Sequence, residues 1–155
     1  MNPYMEEAKN LADNNLITNV GGPFGAVVVK DNIIIGRGSN HVLGHNDPTA
    51  HAEIEAIRDA CKTIDSYDLT GCTIYTTCYP CPMCMSAIIW SNIKKVYYGN
   101  SKIDAANIGF RDNFIYQFIE EKSTNKDILE LIELDKEYTI ETFNNFQKKQ
   151  DKTIY

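Results

Sequence analysis

Two short runs restrict this chain more than anything else in it: His51-Ala52-Glu53 and, beginning 27 residues after Glu53, Pro80-Cys81-Pro82-Met83-Cys84. One imidazole and two thiolates fill three positions of a tetrahedral zinc ion and leave the fourth for water, the pattern of a catalytic site. Pro82 suits the first turn of a helix. Cys81 and Cys84 then lie three apart around that start and can face one point, where the positive helix end favours thiolates. His51 opens a second helix. Glu53 follows two residues later, within reach of a metal-activated water without ligating the metal. A carboxylate there can take the water's proton and pass it to a leaving group. Any fold for this chain must therefore bring two helix starts, far apart in sequence, to one place.

The remaining cysteines leave other readings open. Cys78 extends the run to Cys78-x-x-Cys81-x-x-Cys84, part of an iron–sulfur pattern without its fourth cysteine. Cys78 could also complete a structural zinc site, or close a strand as a small buried residue. Cys61 and Cys72 read as core. An odd count of five argues against a disulfide framework. The start, Met1-Asn2-Pro3-Tyr4-Met5-Glu6-Glu7, has neither the positive nor the apolar region of a secretory signal, and a cytoplasmic protein is expected.

Apolar periodicity places these motifs. Residues 4–18 predict a helix with Met5, Ala8, Leu11 and Ala12 on one face, entered through Asn2-Pro3. After the Gly21-Gly22-Pro23 break, Phe24–Lys30 predicts a buried strand and Ile33–Gly36 its hairpin partner across Asp31-Asn32. Residues 37–49 read as a loop. A helix carries Ala52, Ala56, Ile57 and Ala60. Strand Cys72–Thr77, a helix from Pro82 to about Trp90, and strand Val96–Tyr98 follow. Ile128–Leu134 fits a strand or a short helix, and Thr142–Lys149 a helix. Strands alternating with helices predict α/β layering on a mixed sheet within a single domain over 1–155.

Charge narrows the partners. The net charge is −6, and the only arginines are Arg37, Arg58 and Arg111. Lys94-Lys95 and Lys148-Lys149 read as solvated surface lysines. A chain that binds long nucleic acid usually carries a basic face, so a small molecule is expected and nucleic acid is not. No run of 18 apolar residues exists to span a membrane.

The chain resembles the cytidine deaminase superfamily, and within it the bacterial guanine deaminases. The resemblance rests on Gly21 through Val29, on Asn46-Asp47-Pro48-Thr49-Ala50-His51-Ala52-Glu53 with Ala56-Ile57-Arg58, on Cys81–Cys84 through Ala87-Ile88 and Trp90, and on Asp104-Ala105-Ala106, Gly109-Phe110, Asp112, Phe114 and Ile115. It covers about residues 20–120. The tail shares a Phe143-x-x-Phe146 segment and terminal Tyr155. The resemblance implies a three-layer α/β/α sandwich with a mixed five-stranded sheet and one zinc ion per subunit. The implied ligands are His51, Cys81 and Cys84, with Glu53 as the proton carrier. It implies hydrolysis of a free purine base, guanine to xanthine and ammonia; cytosine or an ammeline-like ring is the alternative, with a non-catalytic zinc or iron–sulfur module further off. It implies a homodimer whose segment of about residues 121–155 crosses to the partner.

From the residues alone, Asn40 reads as a turn residue, Asp112 as a helix cap and Tyr155 as a chain end. The resemblance instead assigns Asn40, Asp112 and Tyr155 to base recognition, with Phe24 and Trp90 as pocket walls. Glu141, expected just ahead of the last helix, is either a further site residue or a charge favourable to the helix dipole. Two positions depart from the family pattern. Tyr79 replaces the usual Glu before Pro80. Arg111 replaces an acidic neighbour of Asp112, and its cation is expected to keep Asp112 ionised.

Overall fold

The computed structural model describes residues 1–155. The first helix, α1 (Pro3–Thr18), starts as the sequence suggests: the Asn2 side chain accepts hydrogen bonds from the amides of Tyr4 and Met5, and Pro3 occupies the first turn. Strands β1 (Gly25–Lys30) and β2 (Ile33–Ser39) form the antiparallel hairpin, with Asp31 and Asn32 both at positive φ in the turn. Short α2 (Val42–His45) precedes α3 (Ala52–Ile64), the helix that carries Glu53. Then come β3 (Thr73–Cys78), α4 (Pro82–Trp90) and β4 (Lys95–Asn100). Short α5 (Lys102–Asn107), α6 (Asn113–Glu120) and α7 (Lys136–Lys148) complete the chain.

The sheet order is β2-β1-β3-β4. β1 pairs antiparallel with β2 and β3, whereas β3 and β4 run parallel, because α4 carries the chain back between them. β1 is buried on both faces, which is why its sequence is almost uninterrupted apolar. Val27 and Val29 meet Ala8, Tyr4, Met5 and Leu11 of α1. Ala26 and Val28 point the other way, onto Ala52, Ala56 and Ala60 of α3 and Ile88 of α4. These are the three expected layers.

The sheet has four strands where five were expected. Ile128–Leu134 forms neither strand nor helix: its start lies in a turn and the rest pairs with nothing regular. β2 runs three residues beyond the predicted Gly36, into a stretch read as loop. Its glycines suggested a loop, but they answer to packing. A Cβ at Gly36 would strike the Ala56 carbonyl, and one at Gly38 would strike the Ala52 carbonyl and the Ala56 amide. Glycine here lets α3 lie directly on the strand. The last helix begins at Lys136, six residues before the predicted Thr142, so Glu141 lies inside α7 rather than ahead of it.

The chain divides into two compact units, Met1–Tyr116 and Gln117–Tyr155. The second holds α7 and leaves Leu134 and Phe143 about three-quarters exposed. No helix is long and apolar enough to cross a membrane.

Candidate metal centre and base pocket

β3 ends at Cys78, and the chain turns through Tyr79-Pro80 into α4. Cys81 is the N-cap of that helix, and its Sγ accepts a hydrogen bond from the Cys84 amide at 3.5 Å. His51 is the N-cap of α3. The two helix starts converge on one side of the sheet and present their positive ends to the same point. The ligand atoms of His51, Cys81 and Cys84 all lie within 4.8 Å of one another.

The spacing fits zinc. His51 Nδ1 is 3.5 Å from Cys81 Sγ and 3.6 Å from Cys84 Sγ. Tetrahedral angles with Zn–S of about 2.3 Å and Zn–N of about 2.0–2.1 Å require N···S separations of about 3.6 Å. The thiols are strongly coupled. A hydrogen bond from Cys84, helped by His51, brings the Cys81 thiol down to about 4 against the penalty of burial. The same bond, together with burial and nearby negative charge, pushes the Cys84 thiol up. The bond that the His51 ring makes to the Cys81 sulfur raises His51. A divalent cation relieves this competition by replacing protons among the three groups.

Cys78 takes no part in the triplet. Burial and the neighbouring Glu53 and Asp112 push its thiol up to about 11, and its Sγ lies 3.8 Å from the Ser101 carbonyl. It is the buried end of β3. With three ligands rather than four, the arrangement suits neither a closed structural zinc site nor an iron–sulfur cluster.

Glu53 is buried on the first turn of α3, and burial pushes its carboxyl up. Its Oε1 accepts a 2.9 Å hydrogen bond from the Thr76 hydroxyl on β3. The sequence reading missed Thr76. The only signal was alternation along β3, where Ile74, Thr76 and Cys78 share the buried face.

A cleft of about 350 Å³ opens over the triplet. Phe24, Asn40, His51, Glu53, Cys81 and Asp112 all line it. Phe24 meets Phe110 edge to face at 4.9 Å, and Phe110 joins the lining although only Phe24 was singled out. Asn40 is buried. Its side-chain oxygen accepts from the Val42 amide, which leaves the NH₂ as the edge available to a base.

Asp112 immediately precedes α6, and its carbonyl accepts from the Ile115 amide. Its carboxyl is raised, by burial first and by Cys81 next, while Lys102 and His51 oppose the shift. The cations that oppose this shift are Lys102 and His51; Arg111, expected to keep Asp112 ionised, is not among them, and burial outweighs both. Lys102 sits over the rings of Tyr116 at 3.6 Å and Tyr79 at 4.7 Å. Tyr116 in turn donates to the Pro80 carbonyl at 2.8 Å, tying α6 to the metal loop. Tyr79, which lines the cleft with Lys102 over its ring, places an aromatic wall and a cation at the turn into α4.

Of the other expected site residues, one belongs to the first unit and two to the second. Trp90 ends α4, is 71% exposed and is not among the lining residues. Glu141 and Tyr155 are exposed residues of the second unit.

Comparison with known proteins agrees with this geometry. Residues 1–100 match the family described as the cytidine and deoxycytidylate deaminase zinc-binding region. A guanine deaminase from Bacillus subtilis is 48% identical over 125 residues, covering 81% of this chain and 80% of that protein. A crystal structure of guanine deaminase from the same organism superimposes with a TM-score of 0.91 at 41% identity, covering 100% of this chain and 99% of that one. A tRNA-specific adenosine deaminase from Haemophilus influenzae is 46% identical over 93 residues, 59% of this chain and 54% of that protein. Family match, fold and a three-ligand zinc centre coincide in the same residues: this chain belongs to the cytidine and deoxycytidylate deaminase zinc-binding family.

Proposed function

We propose that this chain hydrolyses guanine to xanthine and ammonia. The observation that carries this reading is the near full-length likeness, in sequence and in fold, to a guanine deaminase. The cleft supports it chemically. Phe24 and Phe110 offer flat apolar walls for a planar ring. The Asn40 NH₂ can donate to a ring acceptor, and a carboxylate at Asp112 can accept from ring or amino hydrogens.

His51, Cys81 and Cys84 would hold the zinc ion, which when bound would lower the pKa of a water toward neutrality. Glu53 would take a proton from the attacking water as the water's oxygen bonds to the carbon bearing the amino group. It returns the proton to the adjacent ring nitrogen, and a second transfer through the same carboxylate lets ammonia leave. Burial suits Glu53 to this shuttle, because a carboxyl raised from its ordinary range both accepts and gives up protons readily. One water is consumed, and the exchange of C–N for C–O is balanced by release of NH₃.

The similarity to tRNA-specific adenosine deaminases favours a second reading. The net charge of −6 and the partial coverage of those proteins weigh against it. Ammonia release from guanine, cytosine, adenine, ammeline and an adenosine-containing RNA hairpin separates the readings. Turnover of guanine with little from the others is expected. Robust turnover of cytosine and none of guanine would sink the guanine reading. Glu53→Gln should keep one zinc per chain and lose several orders of magnitude in kcat.

We further propose a homodimer in which the segment of about residues 121–155 packs on the partner, with Tyr155, Glu141 and Trp90 serving the assembled pair. The exposed Leu134, Phe143 and Trp90 support this, since a unit of that size buries little core alone. Five free cysteines suit a reducing compartment, and the cytoplasm is the proposed place of action.

A further inference from the structure

We propose that Asn15, near the end of α1, is a positioning residue that straps together the two segments of the base-binding wall. This rests on the reading that Phe24 and Asn40 hold the base. Asn15 follows Ala8 and Ala12 on the buried face of α1 and is 2% exposed. Its side-chain NH₂ donates at 2.8 Å to the Gly22 carbonyl and at 2.8 Å to the Asn40 carbonyl. Both neighbours are carbonyl oxygens, so the nitrogen must face them.

Those two bonds reach both halves of the wall. Gly22 lies in the turn that leads to Phe24, and the Asn40 amide donates to the Phe24 carbonyl at 3.1 Å. Asn40's own backbone is thereby held at both its N–H and its C=O, and its side-chain oxygen is held by Val42. Gly21 allows the fit, because any Cβ there would strike Asn40. The Asn15 side-chain oxygen is buried with no hydrogen-bond partner. Burying an unpaired amide oxygen is unfavourable. An apolar residue would avoid that penalty, but only a side chain with two donors on one nitrogen can join two converging carbonyls. Asn15 is not itself among the residues lining the cleft; it acts through Asn40 and Phe24.

The test uses the full zinc-loaded chain. Asn15→Leu should accelerate amide hydrogen exchange at Asn40 and Val42 at least tenfold while leaving Val27 and Val28 unchanged. In the Glu53→Gln background, which cannot turn over, Asn15→Leu should weaken guanine binding at least tenfold when Asn40 is present. Once Asn40→Ala is also introduced, it should weaken binding by a clearly smaller factor, the remainder acting through Phe24, because a residue acting through another shows non-additive effects. Unchanged exchange, or an additive cycle, would overturn the strap. If Glu53→Gln binds no guanine, the substrate reading falls, and exchange at Asn40 and Val42 still decides the strap. Asn15→Ser, too short to reach both carbonyls, serves as the second variant. Failure of both to fold with zinc would assign Asn15 to the core alone and refute the proposal.

Discussion

Thr76→Val removes the hydroxyl that holds Glu53 and leaves the shape of the side chain nearly unchanged. Thr76 Oγ1 donates to Glu53 Oε1 at 2.9 Å, with both residues buried. Hydrogen bonds to charged groups contribute about 1.5–3 kcal/mol. If that energy keeps the carboxylate in its productive rotamer, its loss lowers kcat roughly 10- to 150-fold. KM should hold within about twofold, because Thr76 is not among the residues lining the cleft. Thr76→Ser keeps the hydroxyl and should retain kcat within about threefold. The assay is steady-state ammonia release from guanine, with zinc measured on each preparation to confirm one ion per chain. A fully zinc-loaded Thr76→Val with wild-type kcat would refute the role of this bond. So would a Thr76→Ser as impaired as the valine, since the methyl group rather than the hydroxyl would then matter.

Gly38→Ala should force α3 off β2, because the new Cβ collides with the Ala52 carbonyl and the Ala56 amide. Overpacking of this kind costs about 1–3 kcal/mol, and thermal melting should show Tm lower by roughly 3–10 °C; an unchanged Tm would contradict the packing. Asp68 accepts from the Thr70 amide and hydroxyl and from Asn92, and these bonds, the hydroxyl's first, hold its carboxyl below the ordinary range. A depressed carboxyl stabilises the fold above its unfolded pKa and loses that effect as pH falls through its folded pKa. The Tm gap between wild type and Asp68→Asn should therefore be full at pH 7 and shrink below about pH 4; a gap independent of pH would argue against it. Truncation after Ser123 should abolish both dimer and guanine turnover, read by size-exclusion with light scattering and by ammonia release. A fully active truncated monomer would refute the exchanged tail.

The metal triplet and Glu53 were legible in the residues themselves. Zinc chemistry demands particular side chains, and the helix starts demand a particular spacing, so residue type and position carry the same message twice. The layering was legible for a similar reason: burial on two faces leaves β1 almost wholly apolar, and burial on one leaves α3 with Ala52, Ala56 and Ala60 in register. Gly36 and Gly38 misled, because glycine that admits a helix looks like glycine that ends a strand. The fifth strand failed because the chain beyond Gly99 has no alternation strong enough to distinguish strand from turn. Only the tertiary structure could pair Thr76 with Glu53, Asn15 with Asn40, or Tyr116 with Pro80. Those contacts join residues with no local pattern between them, and strand register together with helix packing decides whether they meet. Sequence thus determined which groups could do the chemistry. The folded chain decided what holds each group in place, because direction and burial belong to neighbours in space.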